Sequence, residues 1–395
     1  MTLELSDRSA VAPFLAMQMG ELGEHHLLKT GRLLALHVGQ PSQGAPRAAR
    51  QAAAAAVLAE GALGYTTAYG LPALRHRIAR HYRDWYGVDV EPSRVLVTNG
   101  ASGAFVLAFL ACFDVGDRVA VTAPGYPCYR NDLAAFGVEV VEIPVGPDTR
   151  WAPTPELLDA AGPLDGLIIA SPANPTGTVI APEQLGALTT WCAVNKTRMI
   201  SDEIYHGISY GGIRTASALE FSDEAVVINS FSKYFGMTGW RLGWMISPAD
   251  VTAACERLQG NLAICAPNVS QVAGLAAFDA GAELVENVAA FARKRSLIID
   301  GLTAAGITSF APPDGAFYIY ADISHLLSHD VPDSLTLCKA WLNDLDLLAT
   351  PGLDFDPERG GSTVRFSFAG PAHVITEACR RLVGWPGAGH DRMDK

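Results

Sequence analysis

Arg198-Met-Ile-Ser-Asp202-Glu-Ile-Tyr205 and, further along, Val226-Val-Ile-Asn-Ser-Phe-Ser-Lys233 each read as a short apolar run that stops on polar residues. The same grammar recurs upstream. Arg94-Val-Leu-Val-Thr98 stops at Asn99-Gly100, and Asp117-Arg-Val-Ala-Val-Thr122 stops at Ala-Pro-Gly. Gly166-Leu-Ile-Ile-Ala170 stops at Ser-Pro-Ala-Asn-Pro. Helical stretches separate these runs, and a near-continuous apolar strand between helices is what a largely parallel sheet covered on both faces requires. Ligands of such sheets bind beyond the carboxyl ends of the strands, so the polar residues at those ends are the ones to weigh.

Outward from this centre the pattern changes. Trp240-Arg-Leu-Gly-Trp-Met-Ile246 contains one more strand, and a long helical pattern runs from about Val269 to Ala305. Gly315-Ala-Phe-Tyr-Ile-Tyr-Ala321, a helix near 334–346 and Thr363-Val-Arg-Phe-Ser-Phe368 then suggest a smaller α+β domain. The expected division is a large domain over 46–285, with 1–45 and 286–395 forming the small one from both chain ends.

Composition narrows the function classes. The chain has 395 residues, 49% hydrophobic and 18% charged, enough for a large core and more than one domain of ~150 residues. The net charge of −12, with no Lys/Arg tract, disfavours nucleic acid. The longest apolar runs, Ala52–Ala59 and Gly103–Phe113, fall well short of the ~20 residues of a membrane span. MTLELSDRSA is acidic where a signal peptide is basic. Seven scattered cysteines without a CxxC pair suit reduced thiols, so a cytoplasmic location is expected and no metal site. HExxH and GxSxG motifs are also missing, which removes the zincins and the Ser-His-Asp hydrolases.

Only six lysines occur, and one stands in a chemically loaded context: Ser230-Phe-Ser232-Lys233-Tyr-Phe-Gly-Met-Thr-Gly-Trp-Arg241-Leu-Gly243. Hydroxyls and a guanidinium hold a phosphate, and a lysine amine forms a Schiff base with an aldehyde. Asp202 ends the preceding strand. It reads either as an ordinary helix N-cap or as the partner of a protonated cofactor ring nitrogen. A carboxylate ~4 Å from such a nitrogen contributes about 4 kcal/mol at an effective dielectric near 20, roughly three pKa units. Tyr205, read as one helical turn later, can reach a phenolate oxygen on the same ring.

Four further elements are weaker singly. Asn174, in Ser171-Pro-Ala-Asn-Pro-Thr-Gly177, is an amide on a rigid turn. Thr98-Asn-Gly100-Ala101-Ser102-Gly-Ala-Phe105 reads as strand, glycine turn and helix start, where backbone N–H groups hold phosphate oxygens. Tyr126 is either a core aromatic or a ring that stacks on a planar ligand. Arg365 and Ser367 alternate with apolar neighbours, so Arg365 is either an exposed edge residue or a bidentate carboxylate clamp.

Taken in order, Tyr65-Thr-Thr-Ala-Tyr-Gly-Leu-Pro-Ala-Leu-Arg75, NGASGAF, APGYP, NPTG, SDEIY, SFSKYFGMTGWRLG and VRFSF resemble the class I/II pyridoxal-phosphate-dependent aminotransferases, close to the aspartate aminotransferase group, over about residues 12–382. The resemblance implies fold type I, with a seven-stranded, mostly parallel sheet. It implies amino transfer between an L-amino acid and a 2-oxo acid by a ping-pong mechanism, as part of amino acid metabolism. A lyase on the same fold, a C–S β-lyase or an aminocyclopropane carboxylate synthase-like enzyme, is the alternative.

By position, the resemblance makes Lys233 the catalytic lysine bonded to the cofactor. Asp202 becomes the partner of the ring nitrogen, Asn174 and Tyr205 those of the ring oxygen, and Tyr126 the stacking ring. Ser230, Ser232, Arg241 and the backbone at Gly100, Ala101 and Ser102 become the phosphate cradle. Tyr65 would reach the phosphate of a neighbouring subunit, which implies a homodimer with shared sites. Arg365, with Asn174 and the backbone at Gly39, would hold the substrate carboxylate. The chain departs from the usual pattern at Pro41-Ser-Gln-Gly-Ala-Pro46, at Gly125-Tyr-Pro-Cys128 and at Pro351-Gly-Leu-Asp-Phe-Asp-Pro357, all near the expected substrate side chain.

Overall fold

Both faces of the central strands are apolar because both are covered. In the structure, a computed structural model that describes residues 4–61 and 63–385, alternate residues of each strand enter different cores. Residues 1–3 and 386–395 of the expected small domain lie outside the described residues. The strands are β1 (Leu34–Ala35), β2 (Val95–Thr98), β3 (Arg118–Ala123), β4 (Glu139–Pro144), β5 (Gly166–Ala170) and β6 (Arg198–Asp202). They continue with β7 (Val226–Ser230), β8 (Gly243–Ile246), β9 (Tyr318–Asp322), β10 (Leu347–Leu348), β11 (Thr350–Pro351) and β12 (Thr363–Ser367).

Seven of them form one sheet in the order β2-β8-β7-β6-β5-β3-β4. Only β8 runs antiparallel to its neighbours in this sheet. One face sends Val97, Leu167, Ile169, Met199, Val227 and Trp244 into a core with the helices α2 (Arg47–Leu58), α3 (Pro72–Tyr86) and others. The opposite face sends Leu96, Val121, Ile168, Ile200, Ile228 and Met245 against α4 (Gly100–Cys112). β4 escaped the apolar-run reading for a physical reason. It is an edge strand, mostly half-buried, and carries two glutamates.

The chain ends build another core. Met19 on α1 (Leu15–Thr30), Leu36, Phe291, Ile298, Phe317, Ile319, Trp341, Phe366 and Leu382 meet there, with Tyr205, Ile208 and Tyr210 arriving from the segment after β6. β12 is the middle strand of the antiparallel sheet β11-β12-β9. The remaining helices are α5 (Pro127–Ala135), α6 (Pro155–Ala160), α7 (Pro182–Asn195), α8 (Ala249–Leu262), α9 (Asn268–Ala277), α10 (Gly281–Ala304), α11 (Ser334–Leu345) and α12 (Ala372–Val383).

The long helical pattern expected over 269–305, with few breaks, is two helices, α9 and α10. The break at 278–280 closes on short turns, Asp279 N–H to Ala276 O and Ala280 N–H to Ala277 O. It delivers Phe278 into an aromatic cluster with His81, Phe231, Phe235 and Trp244, at centroid distances of 5.0–6.3 Å. Packing of this partly buried ring against the cluster offsets the helical hydrogen bonds lost at the bend, each about 0.5–1.5 kcal/mol.

Candidate active site

The carboxyl ends of β5, β6 and β7 open into a cavity of about 510 Å³, whose far wall comes from α1, the 37–40 segment and β12. Ala101, Ser102, Tyr126, Asn174, Asp202, Tyr205, Ser232, Lys233, Arg241, Gly39 and Arg365 all line it. The fold thus gathers residues that lie far apart in the chain.

Lys233 donates from Nζ to the Gly39 carbonyl at 2.7 Å and stands 5.8 Å from the centre of the Tyr205 ring. Removal from bulk water, with the charges of Arg365 and Arg241, lowers its pKa to about 8, while Asp202 works against them. A sizeable share of free amine is therefore present near neutral pH.

Asp202 is buried at the end of β6. It accepts from the Tyr129 hydroxyl on one oxygen and from the Ile204 N–H on the other at 3.0 Å. Burial raises its pKa to about 6, while those two donors and Lys233 hold it down. No helix follows Asp202, so the N-cap reading falls: residues 203–207 form turns closed by His206 N–H to Glu203 O and Ile208 N–H to Tyr205 O. Tyr205 consequently reaches the cavity from a turn and not from a helix. Its hydroxyl pairs with that of Tyr318 at 2.7 Å.

The phosphate-type elements meet at the start of α4. Gly100 has φ +71°, and a Cβ there would lie 2.7 Å from Arg241 Nη2, so only glycine lets the guanidinium rest against this first turn. Free backbone N–H groups at a helix start beside an arginine form an anion site. Ser232 lines the cavity, whereas Ser230 does not. The Ser230 hydroxyl accepts from the Ser232 N–H at 3.0 Å and shapes the turn beneath it. Tyr65 is 81% exposed and lies outside the cavity of its own chain.

Arg365 is no edge residue. It is buried on the central strand of its sheet, with Tyr318 and Phe355 rings 4.5 and 4.7 Å from its guanidinium carbon. Nη1 donates to Asn174 Oδ1 at 2.8 Å, and Nη2 donates to the His37 carbonyl and to Thr350 Oγ1. Its Nε–H is buried without a partner. The residue as a whole lines the cavity, and a buried guanidinium held in place by neutral acceptors is a strong recognition element for a carboxylate. Asn174, with its oxygen engaged by Arg365, has its amide N–H groups left to offer a ligand.

Several lining residues escaped the sequence reading. Tyr129, which anchors Asp202, reads as an ordinary helix aromatic. Tyr318 lies diagonal to Arg365 on the paired strand, and a Cβ at Gly39 would fall inside its hydroxyl, so Gly39 is a packing requirement. His37 is pushed down to about 4 by burial and by Arg365, which leaves it uncharged beside the guanidinium. Phe14, Met17, Glu21 and Glu24 enter with α1. The departing stretch at 351–357 holds that helix: Asp354 accepts from the Leu15 and Ala16 N–H groups at 2.8 and 3.2 Å.

Residues 32–382 match the family described as aminotransferase class I and II. The chain is 51% identical over 389 residues to the valine–pyruvate aminotransferase of Mycobacterium tuberculosis, covering 98% of this chain and 99% of that protein. A crystal structure of an aminotransferase from the same organism superposes with a TM-score of 0.94 at 51% identity, over 97% of this chain and 99% of that one. Aspartate aminotransferase from Thermus thermophilus with maleate superposes with a TM-score of 0.90 at 30% identity, over 97% and 100%. These relatives are transaminases, which disfavours the lyase alternative. The family's chemistry depends on pyridoxal phosphate, and a lysine, an aspartate and an arginine converge here on one cavity over a seven-stranded sheet. The chain belongs to the class I and II aminotransferases and is a transaminase.

Proposed function

We propose that this transaminase binds pyridoxal phosphate at Lys233 and exchanges amino groups between a monocarboxylic amino acid of the valine kind and pyruvate. The carrying observation is that Lys233, Asp202 and the buried guanidinium of Arg365 line one cavity. The residues present fit the cofactor. The start of α4, Ser102, Ser232 and Arg241 would hold its phosphate, with Ser230 supporting Ser232. Asp202 would face its ring nitrogen, Tyr126 would lie against the ring, and Asn174 and Tyr205 would meet its ring oxygen.

When bound, pyridoxal phosphate supplies an aldehyde that captures an amine and a ring that takes up the electrons freed at the substrate Cα. The protein's own part is positional and acid–base. Lys233 Nζ, with its pKa lowered to about 8, is nucleophile first and then the base that takes the Cα proton. Asp202, kept anionic by Tyr129 and the Ile204 N–H, stabilises positive charge opposite it. Arg365 orients the substrate carboxylate, and uncharged His37 adds no competing charge.

The substrate side supports a monocarboxylic donor. Phe14, Met17, Leu33 and Val38 give it an apolar lining, and two carboxylates, Glu21 and Glu24, stand at its mouth. The cations lining the cavity, Lys233, Arg241 and Arg365, are all assigned to other groups above. The relative that is named a valine–pyruvate aminotransferase supports the same reading. A donor panel (valine, alanine, leucine, aspartate, glutamate) against pyruvate and 2-oxoglutarate tests it. Valine with pyruvate should lead, and a clear preference for aspartate with 2-oxoglutarate would overturn the substrate class.

A homodimer belongs to this proposal. Val57, Leu58, Leu63 and Tyr65 are exposed, and the Gly64 carbonyl is bonded by Asn268 close to exposed Leu262 and Ile264. These exposed apolar side chains suit burial against a second copy, which would receive Tyr65. Sedimentation at micromolar concentration should give twice the 41.8 kDa chain mass. A cytoplasmic location is proposed with it, in keeping with seven unpaired cysteines. Among the described residues no helix is long and apolar enough to cross a membrane.

A further inference from the structure

The turn after β6 has two sides. Asp202 and Tyr205 face the cavity, while Glu203 and His206 point into the protein with side chains only 1% exposed. Glu203 Oε1 accepts three hydrogen bonds, from Ser217 Oγ (2.9 Å), the Ala218 N–H (2.9 Å) and Ser201 Oγ (3.3 Å). Its other oxygen, Oε2, takes none and lies 3.5 Å from His206 Nδ1. That nitrogen is 2.7 Å from the hydroxyl of Tyr86, the last residue of α3. Among the described residues no lysine or arginine reaches this group.

An ionised carboxylate would need donors on both oxygens, and a buried one with a bare oxygen is costly. A protonated carboxyl leaves no bare charge there, and the neighbouring His206 Nδ1, 3.5 Å away and already engaged by Tyr86, supplies no donor that would stabilise an anion. We propose that Glu203 stands protonated and, with His206 and Tyr86, forms an uncharged brace that aims Asp202 and Tyr205 into the cavity and leaves Asp202 the single carboxylate charge at its floor.

The titration directions agree with this geometry. Burial pushes Glu203 up to about 8 against the pull of its three donors, and Glu220 pushes it the same way. Burial pushes His206 down to about 3. The other titratable groups facing the cluster are Tyr82 and Tyr86 on α3, both raised by burial and then by Glu203, Tyr234, raised by burial, His81, which lies beyond them and is lowered to about 3, and Glu220, which is paired with Arg214. The tyrosines and His81 are neutral at pH 7.

The consequence concerns Asp202. A second carboxylate charge on the adjacent residue would raise the Asp202 pKa, already about 6, and a protonated Asp202 cannot stabilise a cation. Glu203 is thus a positioning residue that also protects its neighbour's charge. What Asp202 faces rests on the proposed function above; the protonation of Glu203 does not.

The test separates the two. Infrared difference spectra of the cofactor-free protein, wild type against Glu203→Gln, should show at pH 7 a carboxylic-acid carbonyl band that disappears as pH is raised past about 9. Carboxylate bands from Glu203 at pH 7 would overturn the proposal. In pyridoxal phosphate titrations, Glu203→Gln, which imitates the neutral acid, should keep affinity within about twofold, while Glu203→Ala and Tyr86→Phe weaken it by roughly five- to a hundredfold. Equal damage from Gln and Ala, at equal melting temperature, also overturns it. Unchanged affinity in Asp202→Asn would break the cofactor reading and leave the infrared result standing.

Discussion

The two walls of the cavity are assembled on different terms. The sheet-side wall takes Ser102 from the start of α4, Asp202 from the end of β6, Ser232 and Lys233 from the turn after β7 and Arg241 from the loop before β8, all set by one sheet. The far wall takes Phe14 and Met17 from a helix near one chain end, Gly39 from a loop and Arg365 from a strand near the other end. Three hydrogen bonds join them: Lys233 to Gly39, Asn174 to Arg365, and Tyr205 to Tyr318. The sheet-side wall is fixed by local chain geometry and is rigid. The far wall is fixed by long-range packing, so its shape can vary while the chemistry stays the same.

Substitutions on each wall should therefore fail differently. The largest effect is expected from Lys233→Ala, which should lower transamination by at least ~10³-fold while KM changes little. Borohydride reduction with pyridoxal phosphate should then label no residue, and a label on another lysine would break the assignment. Recombination of wild-type apoprotein with the cofactor should speed up as pH rises and level off above about 8, because the Lys233 pKa is lowered and the free amine reacts. Arg365→Leu removes a charge that lowers that pKa, so the midpoint should move up.

On the far wall, Arg365→Lys should raise KM for amino acids by roughly 30-fold or more, with a smaller loss in kcat. An unchanged KM across donors would sink the clamp. Asp354→Ala removes the acceptor at the start of α1 and should cost about 1 kcal/mol of stability. If the far wall is set by packing, this variant raises KM for valine several-fold and leaves cofactor affinity alone. The smallest effect is expected from Glu21→Gln with Glu24→Gln: about a twofold gain with dicarboxylic substrates, since exposed charges are well screened.

The same contrast explains what could be read from the chain. Lys233, Asp202 and Asn174 were legible because a parallel sheet gathers its ligands at strand ends, and each of these residues follows an apolar run directly. The break at Phe278 was not, since local periodicity carries no record of the aromatic cluster that receives that side chain. Tyr129 and Tyr318 were hidden among ordinary buried aromatics, and their hydroxyl partners lie 73 and 113 residues away. Ser230 was read as a ligand, but its position at the strand terminus turns its hydroxyl to the backbone. Asp354 stood in a stretch noted only as a departure. Its task became visible once α1 was in place.

One feature of Arg365 reaches further than binding. Asn174, His37 and Thr350 occupy three of its five N–H groups, and two ring systems crowd its guanidinium. A carboxylate arriving there meets a donor pair whose plane is already set. With Lys233 as the proposed base in the same cavity, the handedness of the amino acid would be decided at docking. A mirror-image substrate that seats its carboxylate correctly would turn its Cα proton away from the amine.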